Sequence, residues 1–185
     1  MSDVTQRCLD AFPRWLATLV DDVRALEPLA FDTTLPEGVR FRVAAALNYA
    51  LWMDDVAPDE LAELTHLDVA LVVRACARAA SDALGDAPAP GPIARLAADA
   101  DLVRAFLDRD HARLVRFADT FTDRRVRGRT VEAIGTDPDV QAELGPELAA
   151  WAHAHSATLA ALAPIGRDDK RLVRFAAYLA ARLPD

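Results

Sequence analysis

The stretch VAAALNYALWM, Val43 to Met53, runs straight into DDVAPDE, Asp54 to Glu60, and its reading decides the fold. Its 11 residues are apolar on every side of a 3.6-residue period, interrupted by Asn48. That pattern predicts a helix with no wide solvent face, placed at the centre of the molecule. A membrane span needs about 20 apolar residues, so this run is too short to cross a bilayer.

The acids that follow allow two readings. Asp54, Asp55, Asp59 and Glu60 fall within seven residues. Asp54, Asp55, Asp59 and, further on, Asp68 are the candidate ligands for a divalent cation, which wants several oxygens converging on one point. Against this, Pro58 interrupts the helix that would align them, and no second acid-rich helix is visible. The alternative is punctuation: Asp54 and Asp55 close one helix, Pro58 opens a short one, and Asp59 and Glu60 meet the positive end of its dipole. Thr65 then caps a helix from His66 to about Leu84, with Asp68 three residues on as in a capping box. Capping accounts for the acids with fewer requirements, so no metal or cofactor is expected.

Working outward, a first helix is expected from Asp3 to about Leu26, with Phe12, Trp15, Leu16, Leu19 and Val23 on one face and a kink or restart at Pro13. EPLAFDTTLPEG then reads as a loop, and Pro36-Glu37 opens the apolar helix. The helix after Thr65 carries only Arg74, Arg78 and Asp82 as charges past its first turn. The two apolar helices are therefore expected to form a central hairpin. GDAPAPGP, residues 85–92, reads as a Pro/Gly linker between a hairpin region, 1–84, and a C-terminal helical region, 93–185. Beyond it, helices are expected at about 92–98, 100–122, 129–134, 138–144, 146–162 and 168–183. The fold class is all-α, a bundle of roughly 8–10 helices on a central apolar hairpin.

RDHARLVRFA (109–118) and RDDKRLVRFA (167–176) match at eight of ten positions. Convergence of two amphipathic helices, rather than duplication, is the preferred reading, with Leu114, Phe117, Leu172 and Phe175 facing inward. His153 and His155 lie about 200° apart on a helix and cannot share an ion from it, so both read as surface residues. His66 and His111 stand alone, the former in a solvated first turn. DRRVRGR, 123–129, reads as a helix end stopped by Gly128; an acidic partner or phosphate is the alternative. For the mid-helix polar pair, a hydrogen bond from Asn48 or Tyr49 to Asp55, Asp59 or Asp68 would lock the turn; otherwise both reach solvent.

The net charge is −8 and Lys170 is the sole lysine. An acidic chain without a basic stripe is a poor partner for nucleic acid. Cys8 and Cys76 show no metal or disulfide spacing and read as core thiols of a reducing compartment. MSDVTQRCLDAF has no export pattern, so a cytoplasmic location is expected. No nucleophile elbow or glycine-rich phosphate loop occurs.

YALWMDDVAPDELAELTHLD resembles the signature of the YkvA-like domain family, small bacterial helical proteins of uncharacterised function. Tyr49, Asp55, Val56, Ala57, Pro58, Asp59 and Asp68 stand at its motif positions, and FPRWLATLV resembles its leading helix. Met53, Thr65 and Val69 replace the family's proline, glycine and second closing aspartate, so the likeness, over residues 9–80, is to a divergent member. The resemblance implies an α-helical hairpin and no catalytic residue. The expected function is a non-enzymatic interaction or scaffold module with an unknown protein partner or as a homo-oligomer. A divalent-metal-dependent enzyme using the Asp54–Asp68 turn is the alternative. Peripheral membrane association, suggested only by relatives, comes last and is not expected.

Overall fold

The computed structural model describes residues 3–52, 66–162 and 169–184, and its regular elements are helices joined by turns and short loops. In chain order they form α1 (Asp3–Phe31), α2 (Glu37–Leu51), α3 (Leu67–Ala83), α4 (Gly91–Ala98), α5 (Ala100–Leu107), a 3-10 turn (Asp108–Asp110), α6 (His111–Asp123), α7 (Val131–Thr136), α8 (Pro138–Leu162) and α9 (Asp169–Arg182). The bundle is all-α, as the apolar periodicity requires.

The α2–α3 hairpin is its centre. Every residue of α2 from Val43 to Leu51 is buried, and so is every residue of α3 from Leu67 to Ala77. The two helices pack most extensively on each other. α1 and α6 cover α2 on separate sides, and α4 lies against α3. Alanines at 44, 45, 46, 70, 75 and 77 keep the helix surfaces close where they meet. None of the described helices is long and apolar enough to cross a membrane.

Three expectations change. α1 does not end at Leu26 but continues to Phe31, with Pro13 and Pro28 inside it. α8 likewise runs unbroken through Gly145 and Pro146. An interior proline costs a helix about 3 kcal/mol and a glycine about 1. Burying a large apolar side chain returns about 1.5–3 kcal/mol each. Phe12, Leu16 and Leu19 flank Pro13, and Leu144, Leu148 and Trp151 flank Pro146, all of them buried, and α1 and α8 pack on each other. Continuity of the packed face outweighs the local penalty.

The third change divides the expected helix 100–122. Asp108 adopts φ 49°, ψ −119°, and the 3-10 turn re-aims the chain. α5 can then lie on α1 and α3 while α6 lies on α2 and α3, which one straight helix could not do. In the related segments, Leu114, Leu172 and Phe175 are buried, and Phe117 is half-buried.

Candidate functional site

Two polar constellations sit inside this apolar scaffold. The first lies where α2 ends and α3 begins. Tyr49, in the last turn of α2, donates its phenolic hydrogen to Asp68 Oδ2 in the first turn of α3, at 2.7 Å and fully buried. This is one of the bonds the sequence allows, and it ties the two helices of the hairpin together. Asp68, among the candidate cation ligands, has its carboxylate engaged by the phenol. Asp54, Asp55, Pro58 and Asp59 lie outside the described residues.

Around Tyr49 the rings of Trp52, Phe117 and Phe121 stand at 6.0, 5.7 and 4.9 Å between centroids. The Arg124 guanidinium covers the outer faces of Trp52 and Phe121, at 4.6 and 4.9 Å. Asn48 behaves otherwise than expected. It is wholly buried, and neither amide atom has a hydrogen-bond partner. Such an orphaned group costs about 1–3 kcal/mol, offset by the packing of α2.

His66 also departs from expectation. Rather than a solvated first-turn residue, it is buried at the N-cap of α3 with a left-handed backbone, φ 70°. Its ring stands 4.5 Å from that of His155, on α8, at 65° between planes. His155 is therefore half-buried instead of a plain surface residue, while His153 is exposed, as their opposed directions demand. Trp151 completes the group, 5.1 Å from His155 and 6.5 Å from His66. His155 Nδ1 lies 2.7 Å from the Trp151 carbonyl. A carbonyl only accepts, so Nδ1 carries the proton.

The second constellation was missed by reading the sequence, which noted Arg74 only as one of three charges past the first turn of the helix after Thr65. Arg74 is instead fully buried. Its guanidinium donates to Asp22 of α1 at 3.4 Å, to Asp99 at 3.1 Å and to the Ala70 carbonyl at 3.1 Å, and lies 4.1 Å over the Trp15 ring. Thr18 donates to Asp22 Oδ2 at 3.1 Å. Arg95 meets Oδ1 at 2.7 Å as an ion pair without hydrogen-bond alignment. Burial lowers the Arg74 pKa, opposed by Asp22 and Asp99; an arginine stays charged regardless. The one signal in the sequence was an arginine amid an otherwise apolar helix. These residues pin α1, α3 and the α4–α5 junction together.

In the basic cluster 123–129, α6 ends at Asp123, as expected, but Gly128 belongs to a tight turn beyond it rather than to the helix stop. Val126 and Arg129 exchange backbone hydrogen bonds at 2.9 and 3.0 Å around Arg127 and Gly128, both at positive φ. This two-residue turn favours glycine at its second position. Arg127 and the buried Arg129 both pair with Glu147 on α8, Arg125 bonds the Gly128 carbonyl, and Arg124 lies on the aromatic rings. All four arginines have partners within the fold. Burial pushes the Glu147 carboxyl up, but the Arg129 and Arg127 hydrogen bonds outweigh it and hold its pKa below the usual range.

Both cysteines are free and buried. Burial pushes Cys8 up to about 11 and Cys76 up to about 12, and nucleophilic attack needs the thiolate. A surface depression of about 250 Å³ is rimmed by Arg78, Asp82, Asp101, Arg104 and His111. Its arginines already pair along their own helices, Arg78 with Asp82 and Arg104 with Asp101. Among the described residues, no group of three or more His, Cys, Asp or Glu side chains is placed to hold a metal ion. The chain matches no family model, no curated protein and no solved structure.

Proposed function

We propose that this chain is a non-enzymatic interaction module that assembles with a second copy of itself. The surface used is the groove where α9 lies beside α1 and α5. Leu172, Phe175 and Leu179 turn one stripe of α9 into the core, and Leu183 just past its end is buried too. Val173 points the other way and is 68% exposed, the large apolar side chain left in solvent among the described residues. That exposure is the observation that carries the reading.

Val173 itself lines an open groove of about 390 Å³, together with the apolar Val4, Phe106 and Leu172 and the polar Thr5 and Asp108. A twofold interface needs one patch carrying both a protrusion and a recess, so that each copy fills the other. The exposed Val173 on the wall of this groove brings the two together in one patch. The buried charges, held in the Arg74 and Glu147 networks, serve the fold. The resemblance of residues 9–80 to the YkvA-like family likewise implies a helical hairpin and no activity.

A net charge of −8 opposes self-association, so screening by salt should strengthen it. Static light scattering across a concentration series at low and high salt tests this. The expected result is a dimer favoured by salt and abolished by Val173→Glu, with the helical fold of the monomer retained by circular dichroism because the side chain is exposed. A monomer under every condition, or a dimer indifferent to Val173→Glu, overturns the proposal.

A further inference from the structure

We infer that the depression between α3, α5 and α6 is a binding site for a free α-amino acid with an aliphatic side chain. It shares no lining residue with the groove proposed above as an interface, so the two stand or fall separately.

Three helices build it, each through one face. Arg78 and Asp82 of α3, Asp101 and Arg104 of α5, and His111 and Val115 of α6 stand three or four residues apart, the spacing that puts two side chains on one side of a helix. α3, α5 and α6 pack on one another, and the depression between them holds about 250 Å³. Sites for drug-sized ligands hold about 300–1,000 Å³, so the occupant here is a small molecule.

The charges select its class. Arg78 and Arg104 balance Asp82 and Asp101, so the rim carries no net charge. A simple anion would meet the two carboxylates and a simple cation the two guanidiniums, whereas a zwitterion finds a complement for each of its ends. Neither ion pair has to break to admit it. Arg78 gives its Nε–H to Asp82, at 2.9 and 3.2 Å from the two oxygens. Arg104 gives an Nη2 hydrogen to Asp101 Oδ1 at 2.9 Å. A guanidinium has five N–H donors, so both arginines keep donors for a carboxylate, and Asp101 Oδ2 keeps its lone pairs for an ammonium group.

The remaining lining agrees. Burial, with the Arg104 charge second, holds the His111 pKa below its ordinary value. At neutral pH its ring is therefore uncharged and adds a hydrogen-bonding group without upsetting the balance of the rim. Ala75, Ala79, Val103 and Val115 supply an apolar wall for a short aliphatic side chain.

Isothermal titration calorimetry of the full chain with L-alanine, L-valine and L-leucine tests the site. Saturable binding of one equivalent is expected for at least one of them. Its analogues lacking the ammonium group or the carboxylate (isocaproate and isoamylamine for L-leucine) should each bind at least about tenfold more weakly, since each leaves one set of rim charges unmatched. Arg78→Gln and Asp101→Asn, at exposed positions whose pairs add little to stability, should weaken binding similarly while circular dichroism shows the helical fold retained. Arg14→Gln, at an exposed arginine outside the depression, should leave binding unchanged. No saturable binding of any of the three amino acids overturns the assignment. So does an analogue that binds as tightly as the amino acid, or affinity that survives either rim variant or falls equally in Arg14→Gln.

Discussion

Replacing Asp22 with alanine tests whether the buried Arg74 network holds the bundle together. Asp22 is 1% exposed and faces a guanidinium that is also 1% exposed, at 3.4 Å. At an effective dielectric of about 20, opposite charges at that separation attract by about 5 kcal/mol. Asp99 remains on the other edge of Arg74 at 3.1 Å and retains part of the stabilisation, though it is 39% exposed and partly screened. The expected loss is therefore about 3 kcal/mol, at the lower end of the cost of breaking a buried pair. In a urea titration with m near about 2 kcal/mol/M, the midpoint falls by about 1.5 M at unchanged m. The cause is the stranded charge, so removing it as well should recover stability. Asp22→Leu with Arg74→Met should lie closer to the parent chain than Asp22→Ala does. A loss below about 1 kcal/mol, or a double variant no more stable than the single, refutes the reasoning.

Tyr49→Phe keeps the ring among Trp52, Phe117 and Phe121 but removes the donor to the buried Asp68 carboxylate; a loss of about 1.5–3 kcal/mol by urea denaturation is expected. At Gly145, inside α8, an added Cβ would meet only the Glu27 carboxylate at 2.8 Å, the movable end of a flexible side chain. Gly145→Ala should therefore stabilise by about 0.5–1 kcal/mol, read as a raised Tm; a lowered Tm would mean that Glu27 cannot move. Burial, with the Arg104 charge second, holds the His111 pKa below its ordinary value. A depressed folded-state value favours the neutral ring, so its contribution is complete above the unfolded pKa, about 6.5, and lost as pH falls through the folded one. His111→Gln should flatten the fall in Tm between about pH 7 and pH 5 relative to the parent chain, and an unchanged slope would contradict it.

The central hairpin was legible from the sequence because burial on all sides leaves no choice of face: Val43 to Leu51 and Leu67 to Ala77 can satisfy their apolar surface only in the middle of a bundle. The inward stripes of Phe12, Trp15, Leu16, Leu19 and Val23 followed from periodicity alone. The donor in Tyr49 and the acceptor in Asp68 were likewise visible, as groups that burial obliges to find partners. Helix ends were not. Gly145-Pro146 and Pro28 are local stop signals, worth a few kcal/mol each, and the packing of α8 on α1 outweighs them. The break at Asp108 is the converse, imposed by where α5 and α6 must lie and unmarked by any breaker.

Pairings across the chain were decided by tertiary structure alone. Arg74 meets Asp22 across 52 residues, and His66 meets His155 through the packing of α3 near α8. Periodicity states which side of a helix is buried, because that depends only on neighbours along the chain. It does not state what the buried side touches, which depends on how all the helices share one core.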